Sequence, residues 1–365
     1  MLKICIAPLD WGLGHAGRMI PIIKELDKQN HDVFIAGAEE VIRFLKYEFP
    51  NLTYIPIPAY KPKYGSRLPL ELEMAKQSHH FLKIIKEETE IANALTEKWK
   101  FDFIISDNRY GFRSTKCKNI FITHQLQILM PGYLKFLENF LNRLNHSYIN
   151  KFDECWIPDF EKTENLSGKL SHNIELDIPQ FYIGPLSRFS DTKNNQLQAT
   201  GSKEILAICS GPEPGRSKFK NILLKQLSQL EEPNVLIGGD LNAVKQSKKY
   251  GNCTYYPFLS PTELIIFFKN ANIIISRSGY TTVMDLFFLQ KKAIFIPTKG
   301  QTEQEYLATK FRKENICPSY DLHKFNVRNA LAESSNFKGF EEYSNIQPCV
   351  RGSLKKHIEL RLTSK

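Results

Sequence analysis

Short, nearly unbroken apolar runs alternate along this chain with stretches whose apolar residues recur every three or four positions. The first pattern marks strands buried on both faces, and the second marks helices that cover them. Residues 3–8 read as a strand, 19–29 as an amphipathic helix and 32–37 as a second strand. Residues 39–48 are helical, 53–56 extended, and 71–98 one long helical region with few breakers. Strands are expected at 101–106 and 119–123, a helix at 133–150, and short strands at 154–157 and 181–183. The period is then lost, because 188–202 is rich in Ser, Asn, Gln, Thr and Asp. It resumes with strands at 204–209, 233–238, 254–258, 272–276 and 292–297, and with a helix at 217–230. Residues 352–362 form a last, basic amphipathic helix. Repeated strand-helix units predict an α/β protein with two Rossmann-like, doubly wound parallel-sheet domains facing a cleft. The expected domains are 1–187 and 204–335, joined by a linker at 188–203 and followed by a tail and helix at 336–365.

Charge narrows the partners. Lys and Arg number 49 against 39 Asp and Glu, giving a formal charge of +10 over 365 residues. Such a surplus suits phosphorylated substrates or an anionic membrane surface. Nucleic acid is set aside, since no recognition helix, zinc finger or aromatic RNA-binding signature accompanies the charge. The runs 245–249 and 355–357 read as solvated faces. Seven cysteines, with no CxxC pair, make neither a disulfide framework nor a zinc signature. Cys5 and Cys209 sit inside strand patterns as core thiols, which fits a reducing cytoplasm. The amino terminus runs straight into a strand and lacks the zones of a signal peptide. No apolar run approaches the roughly 20 residues of a spanning helix, so any membrane contact is expected to be peripheral.

Two consecutive strand-to-helix turns carry the strongest chemical signal. The runs Ile273-Ile274-Ile275 and Ala293-Ile294-Phe295-Ile296 each end in small and polar residues, and a helical pattern follows each. In an open parallel sheet, ligands bind beyond the carboxyl ends of the strands. Amide groups at a helix start favour an anion such as a diphosphate, which selects the turn at Ser278, Gly279 and Thr281. Asp285 lies one helical turn further on, where a carboxylate can take the two hydroxyls of a ribose. The polar cluster ending in Gln304-Glu305 can hold the hydroxyls of a sugar. In the loop from Cys209 to Arg216, the amides of Ser210 and Gly211 and the Arg216 guanidinium can neutralise a leaving diphosphate. No Gly-Lys-Ser/Thr follows, so it is not a Walker A loop.

The first half offers a complementary set. Asp10-Trp11-Gly12-Leu13-Gly14-His15-Ala16-Gly17-Arg18 follows the first strand and opens its helix. Gly12 and Gly14 let the backbone turn tightly and leave room for a ligand. His15 can take the proton that an acceptor hydroxyl must lose as it attacks an anomeric carbon. Two further strand ends, at Asp107-Asn108-Arg109 and at His124, point to the same crevice. Asp10 or Asp107 can orient His15 or bind sugar hydroxyls, and Arg109 can hold a phosphate or carboxylate. None of these residues has metal-site spacing.

The order Ser-Arg-Ser-Gly-x-x-Thr-Val-x-Asp-Leu, then a strand, a proline and a Gln-containing turn, resembles the donor-binding half of family 28 glycosyltransferases. That group includes the lipid-linked N-acetylglucosaminyltransferase of peptidoglycan synthesis. The resemblance implies that Asp285 replaces the ribose-binding acid, and Gln304 and Glu305 the Gln pair that reads the sugar. Glu305 departs from that pair. The segments 7–15, 106–111, 122–125 and 210–214 also look like a bacterial subgroup of glycosyltransferase-like proteins. The implied fold is the two-Rossmann GT-B type, whose C-terminal helix often returns to the first domain. The implied reaction moves a hexose or N-acetylhexosamine from a UDP-sugar to a saccharide or glycolipid hydroxyl, with inversion and without metal or cofactor. The expected setting is the cytoplasm, with peripheral contact at an anionic membrane. Gly12-Leu13-Gly14-His15-Ala16-Gly17-Arg18 also resembles the loop of the nucleotide-sugar hydrolase of pseudaminic acid synthesis, where water replaces the acceptor. The non-hydrolysing 2-epimerases share the fold, and a non-catalytic nucleotide-sugar-binding protein is the reading from another class.

Overall fold

The computed structural model describes residues 1–60, 77–161, 164–190, 204–343 and 353–363. They fall into two compact units, Met1–Leu186 with Pro348–Lys365, and Ser187–Gln347. Positions 71–76 of the expected long helix, 191–203 of the expected linker, and 344–352 and 364–365 of the expected tail lie outside the described residues.

The first unit is built on β1 (Lys3–Pro8), β2 (Asp32–Gly37), β3 (Thr53–Pro56), β4 (Phe103–Asp107), β5 (Lys118–Ile122), β6 (Glu154–Ile157) and β7 (Gln180–Tyr182). Their order is β3-β2-β1-β4-β5-β6-β7, and every neighbouring pair is parallel. The chain winds outward from β1 to β3 and then re-enters beside β1 as β4. That reversal lies at the carboxyl ends of β1 and β4, where Pro8 pairs with Asp107 and where open parallel sheets bind their ligands. The helix Leu13–Lys28 covers the sheet with Met19, Ile20, Ile22, Ile23 and Leu26, all buried. It starts earlier than its apolar period suggests, because Gly14 and Gly17 lie within it and Gly12 makes the turn. The helix Ser353–Thr363 also belongs to this unit. Its His357 ring lies 4.7 Å from Trp156, and its Arg361 guanidinium sits 3.6 Å over Phe181.

The second unit is built on β8 (Glu204–Ile208), β9 (Asn234–Ile237), β10 (Lys248–Tyr250), β11 (Cys253–Tyr256), β12 (Ala271–Ser276) and β13 (Lys292–Phe295), in the order β10-β11-β9-β8-β12-β13. Only β10 runs antiparallel, as a hairpin with β11. The reversal here lies between β8 and β12. Phe219, Leu223 and Leu227 of the helix Gly215–Leu227 join Ala207, Ile275 and Ile294 in one buried core. The helix Pro261–Asn270 opens with a Ser260–Glu263 capping box and Pro at its first position, which satisfies two otherwise orphaned amides. Phe340, expected in the tail, packs within this unit, 5.2 Å from the Phe311 ring. Both units are α/β with mainly parallel sheets. Among the described residues, no helix is long and apolar enough to cross a membrane.

Candidate functional site

The reversal of the first sheet gathers a buried polar network. Gly12, at φ +104°, turns the chain from β1 into the helix Leu13–Lys28, and a side chain there would meet nothing within 4 Å. This places His15 in the first helical turn, with Nδ1 2.9 Å from Asp107 Oδ2 at the end of β4. A proton on Nδ1 makes that bond and leaves Nε2 as the basic nitrogen. Burial, then the Arg18 guanidinium, lower the His15 pKa below its ordinary 6.5, and Asp107 only partly opposes them. Burial alone would raise Asp107, but Arg18 and then His15 outweigh it and hold the carboxyl below the usual range. Arg18 is 1% exposed. Its Nε lies 3.1 Å from both Asp107 oxygens, its Nη2 bonds Oδ1 as well, and its Nη1 lies 3.1 Å from His124 Nδ1. Because a guanidinium only donates, His124 accepts at Nδ1.

Asp10 and Arg109 belong to a second network. Asp10 accepts from the Tyr60 amide at 3.0 Å and from Arg109 Nη1 at 3.3 Å, so of the two expected acids it is Asp107 that holds His15. Arg109 is fully buried, with Nε on Glu88 at 2.6 Å and Nη2 on the Pro58 carbonyl at 2.7 Å. The Tyr60 hydroxyl closes the ring on Glu88 at 2.7 Å. All three Arg109 nitrogens serve the chain itself, which makes Arg109 a structural cation here and corrects its expected role as an anion ligand.

In the second unit, the loops after β8 and β12 meet at the other reversal. Gly211 takes φ +98°, and a side chain at Gly211, Gly215 or Gly279 would meet nothing within 4 Å. Ser210 and Gly211 are exposed before the helix Gly215–Leu227. Arg216 is tied to Glu213 at 3.0 Å and to the Gly239 carbonyl at 2.6 Å. Gly279 caps the helix Tyr280–Leu289, whose first turn includes the half-buried Thr281, and the Ser278 hydroxyl donates to the Gln304 carbonyl at 2.7 Å. The Gln304 side chain accepts from the Thr298 amide and donates to Gln301, while Glu305 accepts from the Gly300 amide at 2.9 Å. These two side chains thus close the turn after β13 on itself.

Asp285 is 1% exposed and already has partners. Its Oδ1 accepts from Ser187 Oγ at 2.6 Å, and its Oδ2 accepts from Arg188 Nη2 at 2.8 Å and Nε at 3.1 Å. Burial pushes its carboxyl above the usual range, with Arg188 and Ser187 opposing. Arg188 was expected at the head of a linker and is instead anchored in the second unit. The sequence reading also left Arg18 out of the site. Its spacing of three from His15 on one helix face was the available signal. No local signal marks Arg188, whose partner lies 97 residues away.

Residues 215–343 match the family model of the glycosyltransferase family 28 C-terminal domain. Two relatives are named UDP-N-acetylglucosamine--N-acetylmuramyl-(pentapeptide) pyrophosphoryl-undecaprenol N-acetylglucosamine transferase. The one from Finegoldia magna is 23% identical over 323 residues, 82% of this chain and 80% of the relative. The one from Buchnera aphidicola is 29% identical over 227 residues, 58% of this chain, and the match spans 57% of that relative's length. Among solved structures, the glycotransferase of kitacinnamycin superposes with a TM-score of 0.66 at 14% identity, covering 98% of both chains. Acinetobacter baumannii MurG superposes at 0.54 with 13% identity, again over 98% of each. At such identities the structures speak for the fold, and the family model speaks for the second unit. This chain has the two-domain fold of the GT-B glycosyltransferases, and its residues 215–343 belong to the glycosyltransferase family 28 C-terminal domain.

Proposed function

We propose that the protein transfers a hexose or N-acetylhexosamine from a UDP-sugar to the hydroxyl of a saccharide or lipid-linked acceptor, without a metal. The observation that carries this reading is the His15–Asp107 pair at the reversal of the first sheet, 2.9 Å apart in a chain with a family 28 domain. In the proposed step, the acceptor proton passes to His15 Nε2 as the acceptor oxygen bonds to the anomeric carbon. The bond from that carbon to the diphosphate breaks, and its electron pair leaves on UDP. Attack from the face opposite the leaving group inverts the centre. Asp107 fixes the ring and stabilises the imidazolium that forms.

The second unit is assigned the donor. Amides of Ser210 and Gly211 and the helix start at Gly279 suit the diphosphate, since aligned N–H groups there favour negative charge. Asp285 is assigned the ribose, with Arg188 yielding one carboxylate oxygen, and Gln304 and Glu305 the hexose. The relatives' printed names support UDP-N-acetylglucosamine and an undecaprenol-linked acceptor as first substrates to try. The basic surplus of +10 supports peripheral contact with an anionic membrane.

The test is calorimetric titration with UDP, UDP-GlcNAc, UDP-Glc, UDP-Gal and dTDP, followed by product analysis in a metal-chelating buffer. Selective binding of one UDP-sugar and transfer to a lipid-linked saccharide are expected. Absence of nucleotide binding would sink the donor assignment. Free UDP and free sugar formed equally with and without acceptor would replace transfer by hydrolysis.

A further inference from the structure

The loop after β1 carries an aromatic side chain that the transfer step leaves unused. Trp11 is 37% exposed, whereas Trp156 is fully buried and Trp99 packs on Phe34, ring centroids 5.1 Å apart. A lone exposed apolar residue is ordinary. Trp11 differs because its neighbours on both sides are fixed. The Asp10 carboxylate is held by the Tyr60 amide and Arg109, at 3.0 and 3.3 Å. Gly12 takes φ +104°, and a side chain there would meet nothing within 4 Å. The indole thus stands on a pinned turn beside open space. Behind it lie the rings of Tyr60, 6.5 Å away at 82°, and Phe81, 5.8 Å away at 51°. That wall is itself rigid. Tyr60 is buried with Leu9 and Ile84, its hydroxyl bonds Glu88 at 2.7 Å, and the Arg109 guanidinium lies 5.1 Å over its ring.

Position and chemistry select the occupant. Trp11 lies past the carboxyl end of β1, where an open parallel sheet takes its ligands. His15 follows four residues later, so their Cα atoms are at most about 14 Å apart. A single indole is too small for a protein interface, which takes roughly 800 Å² from each partner. Small-molecule sites pair aromatic surface with a few placed polar groups, and the His15–Asp107 pair supplies those. Asp10 and Glu88, the acids of the wall, are 7% and 0% exposed and bonded to Arg109. The wall therefore shows solvent aromatic surface rather than charge. A pyranose suits it, with an apolar C–H face to lie on the indole and hydroxyls around its rim to reach the imidazole.

We propose that Trp11 is the shelf on which the acceptor's sugar ring stacks, holding the reacting hydroxyl toward His15 Nε2. This rests on the transferase reading and adds a specificity-determining residue to it. The full chain would be titrated, with and without UDP, with the methyl pyranosides of glucose, galactose, mannose and N-acetylglucosamine, followed by saturation-transfer NMR. At least one glycoside is expected to bind, with saturation strongest on the ring protons of one face. Trp11→Phe should hold it within about threefold of the parent, since a ring remains. Trp11→Leu keeps apolar bulk without a ring and should lose about three- to tenfold, the part that ring geometry adds beyond area. UDP affinity should be equal in all three proteins. Equal glycoside affinity in the parent and Trp11→Leu would overturn the proposal, as would a parent that binds none of the glycosides. UDP weakened by Trp11→Leu with glycoside binding intact would also overturn it and give the indole to the nucleobase. Ring-dependent glycoside binding in a protein that binds no nucleotide would sustain this inference and sink the donor reading alone.

Discussion

Arg18 Nε lies 3.1 Å from each carboxylate oxygen of Asp107, so the acid that orients His15 is already neutralised by a second partner. An unaccompanied carboxylate would raise the histidine's basicity. Here Arg18 opposes that effect, and burial does most to keep the imidazole neutral. The pair is thereby suited to receive a proton only as charge develops on the acceptor.

A pH profile follows. The acid limb of kcat/KM should fall with an apparent pKa below 6.5, the ordinary histidine value. Arg18→Gln should move that limb upward, because the largest charge effect that disfavours the imidazolium is removed. Linkage gives the stability sign. A histidine with a lowered folded pKa binds its proton first in the unfolded chain, so stability falls as pH drops from 6.5 toward the folded value. An acid limb above 6.5 in the parent enzyme would refute the assignment.

Substitutions should separate the base from its support. His15→Gln should lower kcat about 10²- to 10⁴-fold. Its folding cost should stay near 1 kcal/mol, since the side chain is 18% exposed and loses one hydrogen bond. Asp107→Asn should lower kcat as well, but it also leaves Arg18 buried beside a neutral amide. That should destabilise the fold by about 3–5 kcal/mol. Denaturant midpoints measured beside kcat would reveal the difference, and equal folding costs would show that Arg18 does not depend on Asp107.

What was legible in the sequence follows from what is local. Buried strands such as β1 and β12 are written as continuous apolar runs, and the glycine turns after them are written as residue types. The strand Lys248–Tyr250 was missed because all three of its residues are exposed, and its lysines read as a solvated run. Its pairing with Tyr255, Thr254 and Cys253 is a tertiary fact. The same limit applies to the candidate site. His15 and Asp107 were both visible at strand ends, yet the choice of Asp107 over Asp10 depended on Arg109 and Tyr60 claiming Asp10. Arg109 itself reads as a free cation until Glu88, 21 residues earlier, is folded against it.

The glycine at the second reversal gives a test with little structural background. Gly279 sits at φ −70°, which any residue adopts, and a Cβ there meets nothing within 4 Å. Gly279→Ala should therefore change folding by no more than about 1 kcal/mol. If a diphosphate approaches this helix start, the added methyl should crowd it and weaken UDP binding about tenfold, within the 1–3 kcal/mol usual for overpacking. Unchanged UDP affinity would move the diphosphate elsewhere.

Asp285 and Arg188 make the sharpest test of the donor assignment, because the acid is both a candidate ligand and a strut. As a strut it satisfies Arg188 and the fully buried Ser187. Removing Asp285 strips partners from both, and removing Arg188 leaves an acid that still holds Ser187. A double-mutant cycle of Asp285→Ala and Arg188→Ala should give a coupling of about 1–3 kcal/mol in stability. UDP affinity should part company with stability. Asp285→Ala should weaken UDP at least about tenfold, the loss expected when a charged hydrogen-bonding group is withdrawn from two hydroxyls. Arg188→Ala should leave affinity within about threefold or improve it, because Oδ2 no longer has to exchange partners before a ribose can bind. Parallel losses in the two variants would show that the carboxylate shapes the site without touching the nucleotide, and the ribose would then need another acceptor.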